Sequence, residues 1–423
     1  MFFKVKTTEE ALEAVNSFSP VGEEPVHIED ALGFTLSKDI TSPEDLPEFH
    51  RSSMDGYAVN AKDTFGATES MPALLEIAGE VVMGKAPDVK GSPGKAVRIS
   101  TGGMLPGGTD SVVMLEYCNN LDEQTIEVSR AISPLENVIS PGDDFRRDTT
   151  VFKSGKTLRP QDIGLLAGLG ISYVNAFKRP RITIISTGDE VVPVEEKPET
   201  GQVRNINSYT LSAFCRQVGA IPIIMGLCED SFSQLKELLS GSLDFADSVW
   251  ISGGSSVGTR DITLKVLESF DNMELLVHGI SISPGKPTII AKIGEQAIFG
   301  LPGHAASAMV VAEVFLKPFI SRLRGCEAGD DFRNNIIKAE LDRNIESKSG
   351  RDDFIRVRVE KKDNKLIAVP VFGKSGLIST LVEANGLLRI DRNVEGLYQG
   401  ENVEVMLFNN FNGKIESMPM DDY

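Results

Sequence analysis

The amino-acid sequence predicts a multidomain chain of α/β plus β class. It comprises a three-layer α/β domain with a mostly parallel sheet, an inserted small β domain, and a C-terminal β-barrel-like domain. Three observations predict this. From Arg181 onward, short apolar runs alternate with segments of helical period, the signature of a parallel sheet covered by helices. Residues 46–141 and 326–423 instead carry short β-type runs punctuated by Gly and Pro. Finally, 423 residues exceed what one hydrophobic core serves.

Taken in order, Thr7-Thr8-Glu9-Glu10 is a capping-box pattern ahead of Ala11, Leu12 and Val15 at helical spacing. A second short helix is expected over Ile28 to Leu32. Short β-type runs follow at Ala73 to Val82, Ala96 to Ser100, Ser111 to Tyr117 and Thr125 to Val128. A helix is expected from Pro160 to Gly170, with Pro near its start and Gly at its end. The N-terminal segment is too small for its own core, so residues 1–45 are expected to pack with 142–178 as a discontinuous helical domain, with 46–141 inserted. The α/β domain then spans 179–325. Its strands are placed at Ile182 to Ser186, Ile221 to Leu227, Ser248 to Ser252 and Ala297 to Gly300. Its helices are placed near Tyr209 to Val218, Phe232 to Leu239, Ile262 to Phe270 and Ala306 to Phe319. Beyond a charged stretch, 326–423 reads as β, with strands in Phe354 to Glu360 and Leu366 to Val371.

Composition narrows the function. A formal net charge of −18 disfavours nucleic acid, whose phosphates demand a basic face. No apolar run approaches the roughly 20 residues a membrane span needs. Met1-Phe2-Phe3 leads directly into charged sequence rather than a signal peptide, so a cytoplasmic location is expected. Cys118, Cys215, Cys228 and Cys326 form no CxxC, against a disulfide framework or zinc site.

The chemistry is expected where strands of the α/β domain end. Trp250 to Asp261, WISGGSSVGTRD, runs from a buried strand through a glycine-rich turn toward a helix. It can bind an anion with backbone N–H groups, or be an ordinary tight βα turn. It fits neither GxxxxGKS/T nor GxGxxG. Asp189 and Glu190 follow the first strand, Asp230 the second, Gly253 to Asp261 the third, and Pro302-Gly303-His304 the last. In a doubly wound sheet such loops converge on the ligand crevice. A single acidic residue there is more often a cap; several together with Lys286 are harder to dismiss. A phosphorylated ligand among carboxylates would call for a divalent cation.

Taken together, Ser53-Met54-Asp55-Gly56-Tyr57-Ala58, Ser100-Thr101-Gly102-Gly103, Ser186-Thr187-Gly188-Asp189-Glu190, Ser252 to Gly258 with Asp261, Pro284-Gly285-Lys286-Pro287 and Leu301-Pro302-Gly303 resemble the molybdopterin molybdenumtransferases. These are the MoeA-type proteins and the C-terminal domain of gephyrin, and the resemblance runs in one order over nearly the whole chain. It implies a four-domain homodimer whose α/β domain is similar to the molybdopterin adenylyltransferases. It implies an insertase: adenylyl-molybdopterin plus molybdate gives molybdenum cofactor and AMP, assisted by Mg²⁺. By motif, Glu190, Asp230 and Asp261 would hold the metal. Gly253, Gly254, Ser255, Pro302 and Lys286 would bind phosphate and pterin, with Asn207 near the ligand. Asp55, Thr101 and Asp144 would face the site across the dimer cleft. Arg351 and Ser375 would bind the oxyanion. Possible protein partners under this resemblance are the adenylyltransferase and recipient molybdoenzymes.

The sequence departs from that family at Ser283, where many members carry Lys, and at His304-Ala305, where many carry Asn-Pro. His304 could add a proton donor or cap the following helix, and the cap is the expectation. Alternatives of the same fold are a tungstate-inserting homologue, a molybdopterin adenylyltransferase and a non-catalytic scaffold. Retention of Glu190, Asp230, Asp261 and Lys286 speaks against the last.

Overall fold

The computed structural model describes residues 5–253, 257–326 and 335–408, with only the backbone at 257–261. The chain divides into two compact units, Met1–Ser37 with Gly155–Arg159 and Val174–Tyr423, and Lys38–Ser154 with Pro160–Tyr173.

The first unit contains a six-stranded sheet ordered Ile221–Cys228, Arg181–Thr187, Ser248–Ser252, Gln296–Leu301, Ile289–Ile293, Met273–His278. The first three pairings are parallel and the last two antiparallel. Side chains alternate across a strand, so each central strand feeds two cores. Ile184 and Trp250 join Phe299, Phe319 and Leu211 on one face. Ile185, Val249 and Ile251 join Leu235, Leu239 and Val266 on the other. Helices Asn207–Gln217, Phe232–Leu243 and Val257–Glu268, with the run Ala305–Leu323, supply the outer layers. The three-layer expectation is met. The two antiparallel strands escaped the sequence reading because Gly279, Pro284 and Gly285 break the apolar pattern between them.

Two local expectations fail. Ile28–Leu32 is no helix: the strand Glu23–His27 runs into turns closed by Asp30 N–His27 O and Ala31 N–Ile28 O hydrogen bonds. Both bonds reach back three residues rather than four, so the segment turns without entering an α-helical ladder. The helix expected from Ile262 begins at Val257, which places Asp261 inside it rather than in the preceding loop.

The capping box at the N terminus forms: Glu10 N donates to Thr7 Oγ1 at 3.2 Å and Thr7 N to Glu10 Oε2 at 2.8 Å. The helix it starts, Thr8–Asn16, seats Ala11 and Val15 in the same core as Phe319, Phe354 and Leu387. That core therefore draws on both ends of the unit.

In the C-terminal region, strands Asp352–Lys362, Lys365–Pro370, Ile336–Leu341, Asn402–Leu407 and Gly386–Ile390 pair in succession, and the last returns to the first. The result is a closed barrel around Leu341, Val357, Val359, Val403 and Val405. One short strand from the α/β segment, Ile282–Ser283, adds in parallel to Asp352–Asp353.

The second unit is built on a six-stranded sheet ordered Ser111–Met114, Gly56–Val59, Lys95–Ile99, Ala73–Glu80, Thr125–Val128, Cys118–Asn120. Gly56 is obligatory there, since a Cβ would sit 1.9 Å from the Val113 carbonyl oxygen.

A buried ion pair marks the run Ala305–Leu323, where Ala312–Leu316 is a π-turn. Glu313 lies 3.5 Å from Lys317, both nearly solvent-free. Burial pushes the Glu313 carboxyl up to about 7, against the opposing pull of Lys317. The folded state thus holds a proton that the unfolded carboxyl, at an ordinary 4.5, gives up. This stabilisation is complete below that ordinary value and is lost as pH rises through about 7. The stability of the wild type in thermal melts should fall by roughly 3 kcal/mol across that window, and Glu313→Gln should flatten the profile. An unchanged slope in the variant would exclude Glu313 as its source.

Candidate active site

Three parallel strands place their carboxyl ends side by side, with Ser186 level with Ser252 and Ser252 with Leu301. A cleft of about 310 Å³ opens at this edge, lined by residues of the loops that follow and by Gly376 of the C-terminal region.

Its floor is a network of neutral polar groups. Asn207, the first residue of its helix, donates through Nδ2 to Ser252 Oγ at 2.7 Å and to the Gly303 carbonyl at 2.8 Å, tying together the ends of two strands. Ser186 Oγ donates to Asn205 Oδ1 at 3.1 Å and lies 2.8 Å from Ser208 Oγ. The Asn205 amide in turn donates to Ser208 Oγ at 2.9 Å. The sequence reading singled out Asn207 but not Asn205 and Ser208. The pattern Arg204-Asn205-Ile206-Asn207-Ser208 was the available signal, since short polar side chains cluster where a chain turns into a helix.

The acidic residues gather beside this floor. Glu190 lines the cleft. Gly188, at φ +142°, leaves the space that a Cβ would take, 2.8 Å from Glu190 Oε2. Asp189 Oδ1 accepts the Asp230 N–H at 3.0 Å. Asp230 Oδ1 is buried with no hydrogen-bond partner among the described residues. Burial first, then the charges of Asp189 and Glu190, raise the Asp230 carboxyl above its usual range. A buried, unpaired carboxylate oxygen amid other carboxylates fits a hard cation, whose preferred ligands are oxygens. Among the described residues no three His, Cys, Asp or Glu side chains already form a ligand set. The Asp261 side chain lies outside the described residues, as do Gly254 and Ser255.

The remaining expected residues fall in separate places. Gly253 lines the cleft, and buried Pro302 joins the last strand to Gly303. Lys286 is exposed in the turn before Ile289–Ile293, where Ile289 pairs with Gly300, so the turn shares the cleft's edge of the sheet without lining the cleft. Ser375 reaches the cleft's margin: its Oγ is 2.9 Å from His304 Nδ1. Arg351 does not line the cleft; its Nη2 donates to Asp353 Oδ2 at 3.4 Å, and its Nε lies 2.9 Å from Asp353 Oδ1. His304 does occupy the position before the Ala305–Val311 helix, yet its side chain makes no capping bond, because the ring turns to Ser375 instead. The cap expectation is corrected accordingly. In the second unit, Thr101 donates to Asp55 Oδ1 through N at 2.7 Å and Oγ1 at 3.2 Å. Asp144 is exposed there, its N–H bonded to the Leu46 carbonyl.

Comparison with known proteins gives the same picture in three segments. Residues 6–170 match the family described as "MoeA N-terminal region (domain I and II)", 183–322 the "Probable molybdopterin binding domain", and 338–408 the "MoeA C-terminal region (domain IV)". The chain is 34% identical to a protein named for molybdopterin biosynthesis in Methanocaldococcus jannaschii, over 90% of this chain and 91% of the relative. It is 31% identical to the molybdopterin molybdenumtransferase of Haemophilus influenzae, over 93% and 96%. Among solved structures, the molybdopterin biosynthesis MoeA protein of Pyrococcus horikoshii is similar at a TM-score of 0.81 and 36% identity, covering 96% of this chain and all of the other.

Proposed function

Since the chain belongs to the molybdopterin molybdenumtransferase family, enzymes of molybdenum cofactor biosynthesis, we infer that its substrates are adenylyl-molybdopterin and molybdate and that it acts with Mg²⁺. The observation that carries this reading is the pairing of a neutral, amide-and-hydroxyl floor with a carboxylate group that contains an unpartnered buried oxygen. With both Asn207 amide hydrogens given to Ser252 and Gly303 and the Ser186 hydroxyl given to Asn205, the floor offers the Ser252 hydroxyl as a donor and the Asn207 Oδ1 as an acceptor, which suits the polar edge of a pterin. The carboxylates alone would repel a pyrophosphate. Glu190, Asp230 and Asp261 would hold Mg²⁺, which when bound offsets that repulsion and favours the negative charge left on departing AMP. This chain's own residues position the anhydride: the Asn207 clamp fixes the strand ends, and Ser375 offers a hydroxyl at the margin for the oxyanion. Arg351, paired with Asp353, has further guanidinium donors for the same anion.

The direct test incubates the protein with adenylyl-molybdopterin, Mg²⁺ and molybdate or tungstate, and measures AMP release and cofactor formation. Both should depend on metal and oxyanion. Formation of adenylyl-molybdopterin from molybdopterin and ATP, without oxyanion dependence, would move the protein one step earlier. The family resemblance further implies a homodimer. Asp55→Ala and Asp230→Ala chains mixed together should then regain part of the AMP release that each lacks alone; a fully active monomer would contradict this.

A further inference from the structure

We propose that His304 is a positioning residue that sets which way the Ser375 hydroxyl points, making oxyanion capture at the cleft margin depend on its own protonation. The inference rests on the reading above, in which the oxyanion meets Ser375. The turn carrying Ser375 is held at both ends by its backbone. The Gly373 carbonyl accepts from Arg356 Nη2 at 2.8 Å, and the Ser375 carbonyl accepts from Ala306 N at 3.2 Å. Gly376 lies against the imidazole, since a Cβ there would sit 3.9 Å from His304 Cδ2. With the turn so held, the direction of the Ser375 hydroxyl proton is set by what its Oγ meets. Its Oγ is 2.9 Å from His304 Nδ1, so the two share one hydrogen bond whose direction the imidazole decides.

A hydroxyl has a single proton to donate, and a neutral imidazole with a lone pair on Nδ1 accepts it. Ser375 then shows an incoming oxyanion only lone pairs. Protonated imidazole carries hydrogens on both nitrogens. Nδ1–H donates to Ser375 Oγ, the hydroxyl proton turns away from the ring, and a donor backed by a positive charge faces the anion. Charge-assisted hydrogen bonds of this kind are about twice as strong as neutral ones. The ring is not committed to capping the Ala305–Val311 helix, which leaves Nδ1 for this role. The other charged groups facing this margin are Glu190 and Arg204, which line the cleft, and Lys374, adjacent to Ser375. Arg204 is turned aside, its Nε donating to the carbonyls of Val194 and Glu196.

The test measures molybdate binding to the full chain by equilibrium dialysis between about pH 6 and pH 8. Wild-type affinity should rise about tenfold toward the lower pH, one hydrogen bond and one charge being gained. His304→Asn should bind with little slope, because Asn keeps a donor but cannot gain a proton. Ser375→Ala should bind weakly at every pH. Glu190, Arg204 and Lys374 persist in both variants, so a slope surviving in His304→Asn belongs to them and overturns the proposal. A wild type that binds molybdate with no pH slope overturns it too, while leaving the oxyanion reading intact. A wild type that binds no molybdate at any pH overturns both. Both substitutions lie at the cleft margin rather than in a core, and circular dichroism of each variant checks that the fold is kept.

Discussion

Asp230→Asn is expected to lower AMP release from adenylyl-molybdopterin at least about tenfold, roughly 1.4 kcal/mol in the barrier, while raising the stability of the folded chain. The two effects share one cause. In the free protein the Asp230 carboxylate is an electrostatic liability, with one oxygen buried and unpaired and Asp189 and Glu190 close by. Its pKa is raised in the fold, so keeping it ionised costs stability as pH rises above the ordinary carboxylate range, and a neutral amide of the same shape removes that cost. The Asp230 N–H bond to Asp189 is untouched, since it comes from the backbone. A function that needs the charge loses it. Thermal melts at neutral pH beside the AMP-release assay separate the possibilities: a purely structural Asp230 would give full turnover in the variant. Lower turnover with a lower melting temperature would trace the loss to a damaged fold instead.

Phe299→Ala should cost about 3–5 kcal/mol, the range for emptying a well-packed aromatic site. Phe299 is solvent-free in a central strand of the α/β sheet, its ring edge-on to Trp250 at 6.5 Å and to Phe319 at 4.8 Å. Helix and strand are both anchored there and have little freedom to collapse into the space. Because Trp250 is the chain's single tryptophan, its fluorescence reports the unfolding of this core without interference from the other unit. The urea midpoint of the fluorescence transition should fall with the slope unchanged. A loss below about 1 kcal/mol would mean that the core repacks around the cavity.

The α/β architecture was legible because period and punctuation agreed. Apolar runs such as Ser248–Ser252 are buried along their whole length, and Gly or polar residues close each one. The carboxylates after the first two strands followed from that count, since a parallel sheet sends such loops to one edge. What was not legible came from partners distant in sequence. Ser375 and His304 are 71 positions apart and meet only because the C-terminal region docks against the last βα turn. The antiparallel strands Met273–His278 and Ile289–Ile293 are recognisable only through their mutual pairing. The Arg351–Asp353 pair was legible, since the two stand two apart at the start of a strand, hence on one face, and opposite charges so placed find each other. The helix start at Val257 was hidden by Gly258, a residue that helices tolerate only at a cost.

The N-terminal helix has a consequence for how the protein is made. Ala11, Val15 and Phe18 leave the ribosome early, but Phe319, which meets the Phe18 ring edge-on at 5.4 Å, emerges about 300 residues later. At translation speeds of roughly 5–20 residues per second, that is a wait of roughly 15–60 s. Nine residues form a helix too short to persist alone, so until Phe319 appears its apolar stripe lacks part of its own core. The second unit can complete its sheet meanwhile, since all its strands lie before Ser154. Synthesis therefore runs out of step with chain order, and an apolar segment made early is among the last to be fully buried. Nascent chains stalled before residue 319 should expose it to chaperones and proteases, and chains extended beyond the barrel should not.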